Sequence, residues 1–195
     1  SAMVADPLRV FDFCPVSDGA AAVILATEKA LKRFNGSKPI EVAASSHTSG
    51  MYEYIEDGDA IGAEMCQRAG KMAYEQAGIG PQDIDVAELA SASTIQELVA
   101  YEDLGFCKKG EGGPWVESGA PFMGGKIPVN PGGGLLSRGH PIGATGPSQI
   151  YEIVEQLRGR AGARQVAGAK VGLTQNGAFF NRGDLGAMYV HIFKS

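Results

Sequence analysis

His140 stands between Gly139 and Pro141, in a glycine-rich tract that leads into a helical stretch. Glycine lets a ligand or a second backbone come close. Proline removes a donor and stiffens the loop. An imidazole held this way can take a proton near neutral pH or donate to a developing oxyanion. The same setting suits a structural histidine bonded to a loop carbonyl, and these residues alone leave both readings open. His191 alternates with Tyr189 and Phe193 in the last strand and reads as structural. His47 follows a strand end, either lining a cleft or lying on the surface.

Gly132-Gly133-Gly134 raises the question of phosphate binding at a helix start. No Gly-Lys-Ser/Thr follows, and the glycine spacing does not fit a dinucleotide fingerprint. Close packing is the better role for these glycines. Of the 3 cysteines, Cys66 falls on a helix face and reads as a small buried residue. Cys107 precedes Lys108 and Lys109, two cations able to lower its pKa, or it is an incidental thiol. Asp12 and Asp18 flank a turn and suit capping.

The elements that must position these residues alternate between strand and helix. Leu8 to Phe13 predicts a strand, and Ala20 to Phe34 an alanine-rich helix ended by Asn35-Gly36-Ser37. Ile40 to Ser45 predicts a strand, followed by an irregular stretch, Ser46 to Asp59. Ile61, Met65, Ala69, Met72 and Ala73 recur at helical spacing within Ala60 to Gln76. Val86 to Leu89 predicts a strand, Thr94 to Leu104 a helix and Phe106 to Lys126 a long loop at the substrate entrance. The next helix is expected near Pro147. Lys170 to Thr174 and Ala187 to Phe193 predict a final antiparallel pair. This order implies a layered αβα domain with a mixed sheet of about five strands.

Composition narrows the function classes. Hydrophobic residues make up 44% and charged residues 20%, a globular balance. The net charge of -5 argues against a nucleic-acid partner. The longest apolar run, Ala20 to Ala26, is far short of the ~20 residues of a membrane span. The odd, widely spaced cysteines fit neither a disulfide framework nor a zinc pattern, so no metal is expected and a cytoplasmic setting is. The start lacks a signal peptide, and Ser1-Ala2-Met3 reads as an expression scar.

Several ordered motifs resemble the thiolase superfamily. They are Val16-Ser17-Asp18-Gly19-Ala20-Ala21, Asn130-Pro131-Gly132-Gly133-Gly134 and Gly139-His140-Pro141-Ile142-Gly143-Ala144-Thr145-Gly146. Tyr101 to Phe106 and Leu157-Arg158-Gly159 are most similar to sterol-carrier-protein-type and archaeal thiolases, which include acetyl-CoA acetyltransferases. Thiolases have two similar halves and about twice this length. The resemblance therefore implies the second half: residues 1–36 would be the scar plus the closing strand and helix of the first half, and 37–195 the C-terminal domain. It implies acyltransferase chemistry on coenzyme A thioesters, in lipid metabolism, with no covalently bound cofactor.

The nucleophilic cysteine would lie in the missing half, so the isolated chain is expected to be inactive. The chain would be a truncated or proteolytic piece, or one part of a split enzyme. Its partners would be that half or a second subunit, in a homodimer or hetero-oligomer when full length. An apolar patch should mark the contact.

Carried over by resemblance, His140 is the histidine that activates the nucleophile and helps form an oxyanion hole. Asn176 and Gly177 fall in the last motif loop, where a second oxyanion donor is placed. Cys14 and Gly139 fall along the pantetheine channel. One departure stands out: Ala90-Ser91-Ala92-Ser93 occupies the place of His-Asp-Cys-Phe. Ala90 then replaces an oxyanion-hole histidine and Ala92 an acid/base cysteine. Losing one oxyanion donor costs ~3 kcal/mol of transition-state stabilisation, and losing the proton-transfer group a further factor of ~100. The alternatives are a non-catalytic acyl-CoA-binding or lipid-binding subunit, an engineered Ala-Ser-Ala-Ser stretch, or altered chemistry. The last includes thiolase-like aldolases of steroid degradation, which work with an OB-fold partner but alter the histidine motif that is intact here.

Overall fold

The computed structural model describes residues 1–34, 38–50, 63–181 and 184–195. At the start, β1 (Met3–Ala5) and β2 (Leu8–Arg9) form a small antiparallel pair, and a 3-10 turn follows at Val10–Asp12. The strand expected over Leu8 to Phe13 is thus only two residues long. The helix expected from Ala20 to Phe34 shrinks to α1 (Glu28–Leu31), capped by the Thr27 hydroxyl. The reason is tertiary. A helix is held mainly by the face it buries, whereas Ile24 and Leu25 are both 79% exposed and have nothing to pack on.

The core is built on one mixed sheet. Its strands are β3 (Glu41–Thr48), β4 (Val86–Leu89), β5 (Val171–Asn181) and β6 (Asp184–Lys194), in the order β3-β6-β5-β4. β6 runs antiparallel to both neighbours, and β4 pairs parallel with β5. The expected antiparallel pair is there, and longer. Among the described residues the main sheet has four strands rather than about five, with β1 and β2 apart from it.

Helices cover both faces. α2 (Ala63–Ala77) buries Met65, Cys66, Ala69 and Ala73, a stripe at helical spacing. These pack with Ala87, Leu89, Leu173, Val190 and Ile192. α3 (Thr94–Asp103) begins at Ser93, whose hydroxyl accepts from the Gln96 N–H at 3.4 Å. The segment expected to be loop from Phe106 to Lys126 contains α4 (Gly112–Glu117), and Trp115 packs against Tyr101 at a tilt, with centroids 4.6 Å apart.

On the opposite face, α5 (Gly134–Arg138) leads through His140 into α6 (Ile142–Arg158). Ile153 and Leu157 of α6 meet Val86 and Phe193. α6 starts five residues before Pro147, the expected start. A proline in its second turn forfeits only one backbone hydrogen bond, and the Pro141 carbonyl already accepts from Ala144 and Thr145. No helix of the described residues is long and apolar enough to cross a membrane. The expected irregular stretch, Ser46 to Asp59, is strand as far as Thr48, and its part from 51 on lies outside the described residues.

Candidate functional site

Four segments close a ring of hydrogen bonds around the C-terminal end of β4. Phe13 bridges antiparallel to Ser93, and the Cys14 N–H donates to the Ala92 carbonyl at 2.9 Å. One residue on, the Pro15 carbonyl accepts from the His140 N–H at 2.9 Å, and Val16 bridges to His140. On the far side, the Ala90 N–H donates to the Gln175 carbonyl at 3.0 Å and to Gln175 Oε1 at 3.1 Å. Asn176 Nδ2 donates to Gln149 Oε1 at 2.9 Å, which ties β5 to α6 and so back to His140. The ring brings together Cys14, Ala90 to Ser93, His140 and Asn176. Gly177 follows Asn176 on β5, half-buried and opposite Met188.

His140 is half-buried, and its Nδ1 lies 2.7 Å from the Thr145 hydroxyl. Burial holds its pKa below the ordinary histidine value. The ring is therefore neutral at pH 7 and fit to accept a proton. Cys14 is half-buried too, and burial raises its thiol pKa, so it is a neutral thiol there.

Gly139 is buried with φ 83°. A Cβ built on it would run into Ser17 Oγ and lie 3.4 Å from the Pro15 carbonyl oxygen. The absent side chain lets residues 15–17 clamp the loop that carries His140.

The two serines that alternate with the alanines already have hydrogen-bond roles. Ser91 Oγ accepts from Asn130 Nδ2 at 3.1 Å, and Ser93 caps α3. Ala90 and Ala92 are on the ring and bring no polar side chain to it.

Sequence reasoning passed over the layer beneath. Asn130, at φ 51°, accepts from the Leu89 N–H at 2.8 Å and donates to Glu97 at 2.7 Å. Glu88 is fully buried and pairs with Arg138 at 2.8 Å. Burial pushes the Glu88 carboxyl up to about 7, against the pull of Arg138 and the Gly132 N–H. The available signal was a carboxylate in the otherwise apolar Val86-Ala87-Glu88-Leu89.

Other titratable groups lie outside the ring. His191 bonds Ser45 at 3.0 Å between Tyr189 and Phe193, and His47 stacks on Tyr189 at 4.7 Å. Cys66 is buried, and its pKa is raised by burial. Cys107 is pushed up to about 11 by burial and by Glu102 and Glu111, so Lys108 and Lys109 do not activate it. A surface groove lined by Phe106, Cys107, Trp115 and Lys126 includes none of the ring residues. Among the described residues no group of three or more His, Cys, Asp or Glu could hold a metal ion.

The chain as a whole is similar to known proteins in sequence and fold. The acetyl-CoA acetyltransferase of Methanothermobacter thermautotrophicus is 46% identical over 193 residues, 99% of this chain and 49% of the relative. Sterol carrier protein 2 of Rattus norvegicus is 45% identical over 177 residues, 89% of this chain and 32% of the relative. The solved structure titled Ltp2-ChsH2(DUF35) aldolase superposes with a TM-score of 0.80 at 25% identity, covering 100% of this chain and 49% of that one. The chain thus spans half or less of the length of these relatives. The family described as thiolase C-terminal domain-like matches residues 45–187, and the chain belongs to it.

Proposed function

We propose that this chain is the C-terminal part of a thiolase-type enzyme that makes or breaks carbon–carbon bonds in coenzyme A thioesters. The observation that carries the reading is His140, gripped by Pro15 through its backbone and by Thr145 through Nδ1. Nε2 is then the ring nitrogen left for chemistry. A neutral Nε2 would take the proton of a cysteine supplied by the other half, and the resulting imidazolium would donate to the thioester oxyanion. The Asn176 and Gly177 backbone is our candidate for the second oxyanion donor. Cys14 and Gly139 are candidates for the wall of the pantetheine channel.

Residues 1–36 would close the missing half, and 37–195 would form the domain proper. Phe11 and Val16, each 83% exposed, with Ile24, Leu25 and Ile142, supply the apolar surface for that half or for a second subunit. The free cysteines suit a reducing, cytoplasmic setting.

A second reading has its own support. Ala90 and Ala92 offer no acid/base group, and a solved structure that covers the whole chain is titled an aldolase of two named components. An aldolase with a partner protein is therefore the alternative.

Turnover of acetyl-CoA and acetoacetyl-CoA by the full-length gene product, beside a His140→Ala variant, tests the first reading. Turnover lost in the variant supports it. A folded full-length protein with no turnover moves the assignment to the aldolase or to a binding subunit.

A further inference from the structure

Glu88 is fully buried in β4, between Ala87 and Leu89. A carboxylate out of water must be held by partners, and this one is held from a single direction. Its Oε2 accepts from Arg138 Nη2 at 2.8 Å, and its Oε1 from the Gly132 N–H at 3.3 Å. Both donors belong to the stretch that runs from Asn130 to His140.

Gly132 is part of the fit. A Cβ there would lie 3.2 Å from Glu88 Oε1 and 3.3 Å from Arg138 Nη1, so a side chain would crowd the pair. The Glu88 backbone carbonyl also accepts from Gln149 Nε2 at 3.3 Å, and Gln149 in turn accepts from Asn176. One strand residue therefore touches the histidine loop through its side chain, α6 through its backbone carbonyl, and β5 as its sheet neighbour opposite Thr174.

We infer that Glu88 is a positioning residue of this site: by holding Gly132 and Arg138 it sets where the loop places His140. The catalytic consequence rests on the proposed role of His140, whereas the mechanical link rests on the hydrogen bonds alone. The charged groups facing Glu88 are Arg138 from α5 and Glu152 from α6, with Arg164 behind Glu152 at 2.9 Å. Burial puts the carboxyl near neutrality, so the Arg138 pair is fully charged only above that point. On protonation the ion pair is lost and the loop loosens.

Isotope-labelled NMR on the full chain between pH 5 and 8 tests the link. The Gly132 and Arg138 amides, which belong to the two groups that hold the Glu88 carboxylate, should share a titration step near neutrality that Glu88→Gln abolishes, while the Ala69 and Ala73 amides of α2, remote from Glu88, stay still. A step that persists in Glu88→Gln, or a variant that moves no loop signal, overturns the inference. If Glu88→Gln does not fold, Glu88→Asp keeps the charge with a shorter reach. It must shift the loop amides while α2 is unchanged, and unshifted loop amides overturn the inference equally. In the full-length enzyme, Glu88→Gln should lower kcat at least tenfold with KM within twofold. An inactive wild-type enzyme would count against the proposed function and leave the NMR result standing.

Discussion

His140 Nδ1 sits 2.7 Å from Thr145 Oγ1, in the first turn of the helix that follows the loop. The threonine hydroxyl has one hydrogen and a second neighbour, the Pro141 carbonyl at 3.5 Å. Given to Pro141, that hydrogen leaves the hydroxyl accepting from Nδ1–H, and Nε2 keeps its lone pair. Thr145 is itself buried, so the arrangement is shielded from competing water.

Thr145→Val keeps the shape and removes the hydroxyl. The lost hydrogen bond should cost about 1 kcal/mol of stability. In the full-length enzyme kcat should fall at least tenfold with KM nearly unchanged, because the ring loses its orientation rather than its binding role. Steady-state kinetics that show a change in KM alone would refute this assignment of Thr145.

The pH dependence of His140 follows from its burial. Its folded pKa lies below the ordinary histidine value, so the unfolded chain binds the proton more readily. Stability is therefore lost as pH falls through the ordinary value of about 6.5. A ring-carbon NMR titration should give a His140 midpoint below that value, and kcat/KM should fall on the acid side of the midpoint. A midpoint above the ordinary value would point to a carboxylate partner that the structure does not show.

These side-chain relations show where the sequence was readable and where it was not. β4, β5, β6, α2 and α3 follow apolar spacing that any pairing partner would satisfy, so local pattern sufficed. α1 is short because the side chains around Leu25 find nothing to cover them, a fact of tertiary contact that no local pattern holds. His140 stood out through its glycine and proline neighbours. Its actual holders, Pro15 and Thr145, did not, because the Pro15 bond spans the chain from residue 15 to residue 140. The pairing of Glu88 with Arg138 was hidden too: a carboxylate in an apolar strand was the one local sign, and its partner lies 50 residues further along the chain.

Gly139→Ala tests the clamp on the histidine loop. The new methyl would collide with Ser17 Oγ on a backbone at φ 83°. Strain at such an angle and overpacking each cost ~1–3 kcal/mol. Thermal unfolding should show a clear loss of stability. Relief in the double variant Gly139→Ala with Ser17→Gly would assign part of that loss to this contact. A double variant no more stable than the single one would exclude Ser17 as the obstacle.

Glu88 makes a separate thermodynamic prediction. Its carboxyl is raised to about 7 in the fold, above its unfolded value. The folded state then holds a proton that the unfolded chain gives up. Its contribution is full below the unfolded value and is lost as pH rises through about 7. Melting curves at pH 5 and pH 8 should show a drop for the wild type that shrinks in Glu88→Gln. Equal drops in both proteins would mean that other groups set the slope.

Cys14 and Ala92 face each other beside the bridge of Phe13 to Ser93. The Cys14 N–H donates to the Ala92 carbonyl at 2.9 Å, and the register of the Phe13 to Ser93 bridge puts the two residues at the next opposed positions. Side chains of such a pair share a face, with Cα atoms ~5.5 Å apart. A disulfide needs Cα atoms ~4.4–6.8 Å apart. Ala92→Cys should therefore crosslink to Cys14 on mild oxidation, read as two lost thiols by titration and a mass decrease of about two daltons, the two thiol hydrogens. Cys14→Ser in the same background should prevent it. Under reducing conditions the introduced thiol would stand where the resemblance places the acid/base cysteine, and thioester turnover by the full-length protein should rise. Failure to crosslink while Cys14 and the introduced thiol both remain reactive to a thiol reagent would show that the two side chains do not share that face.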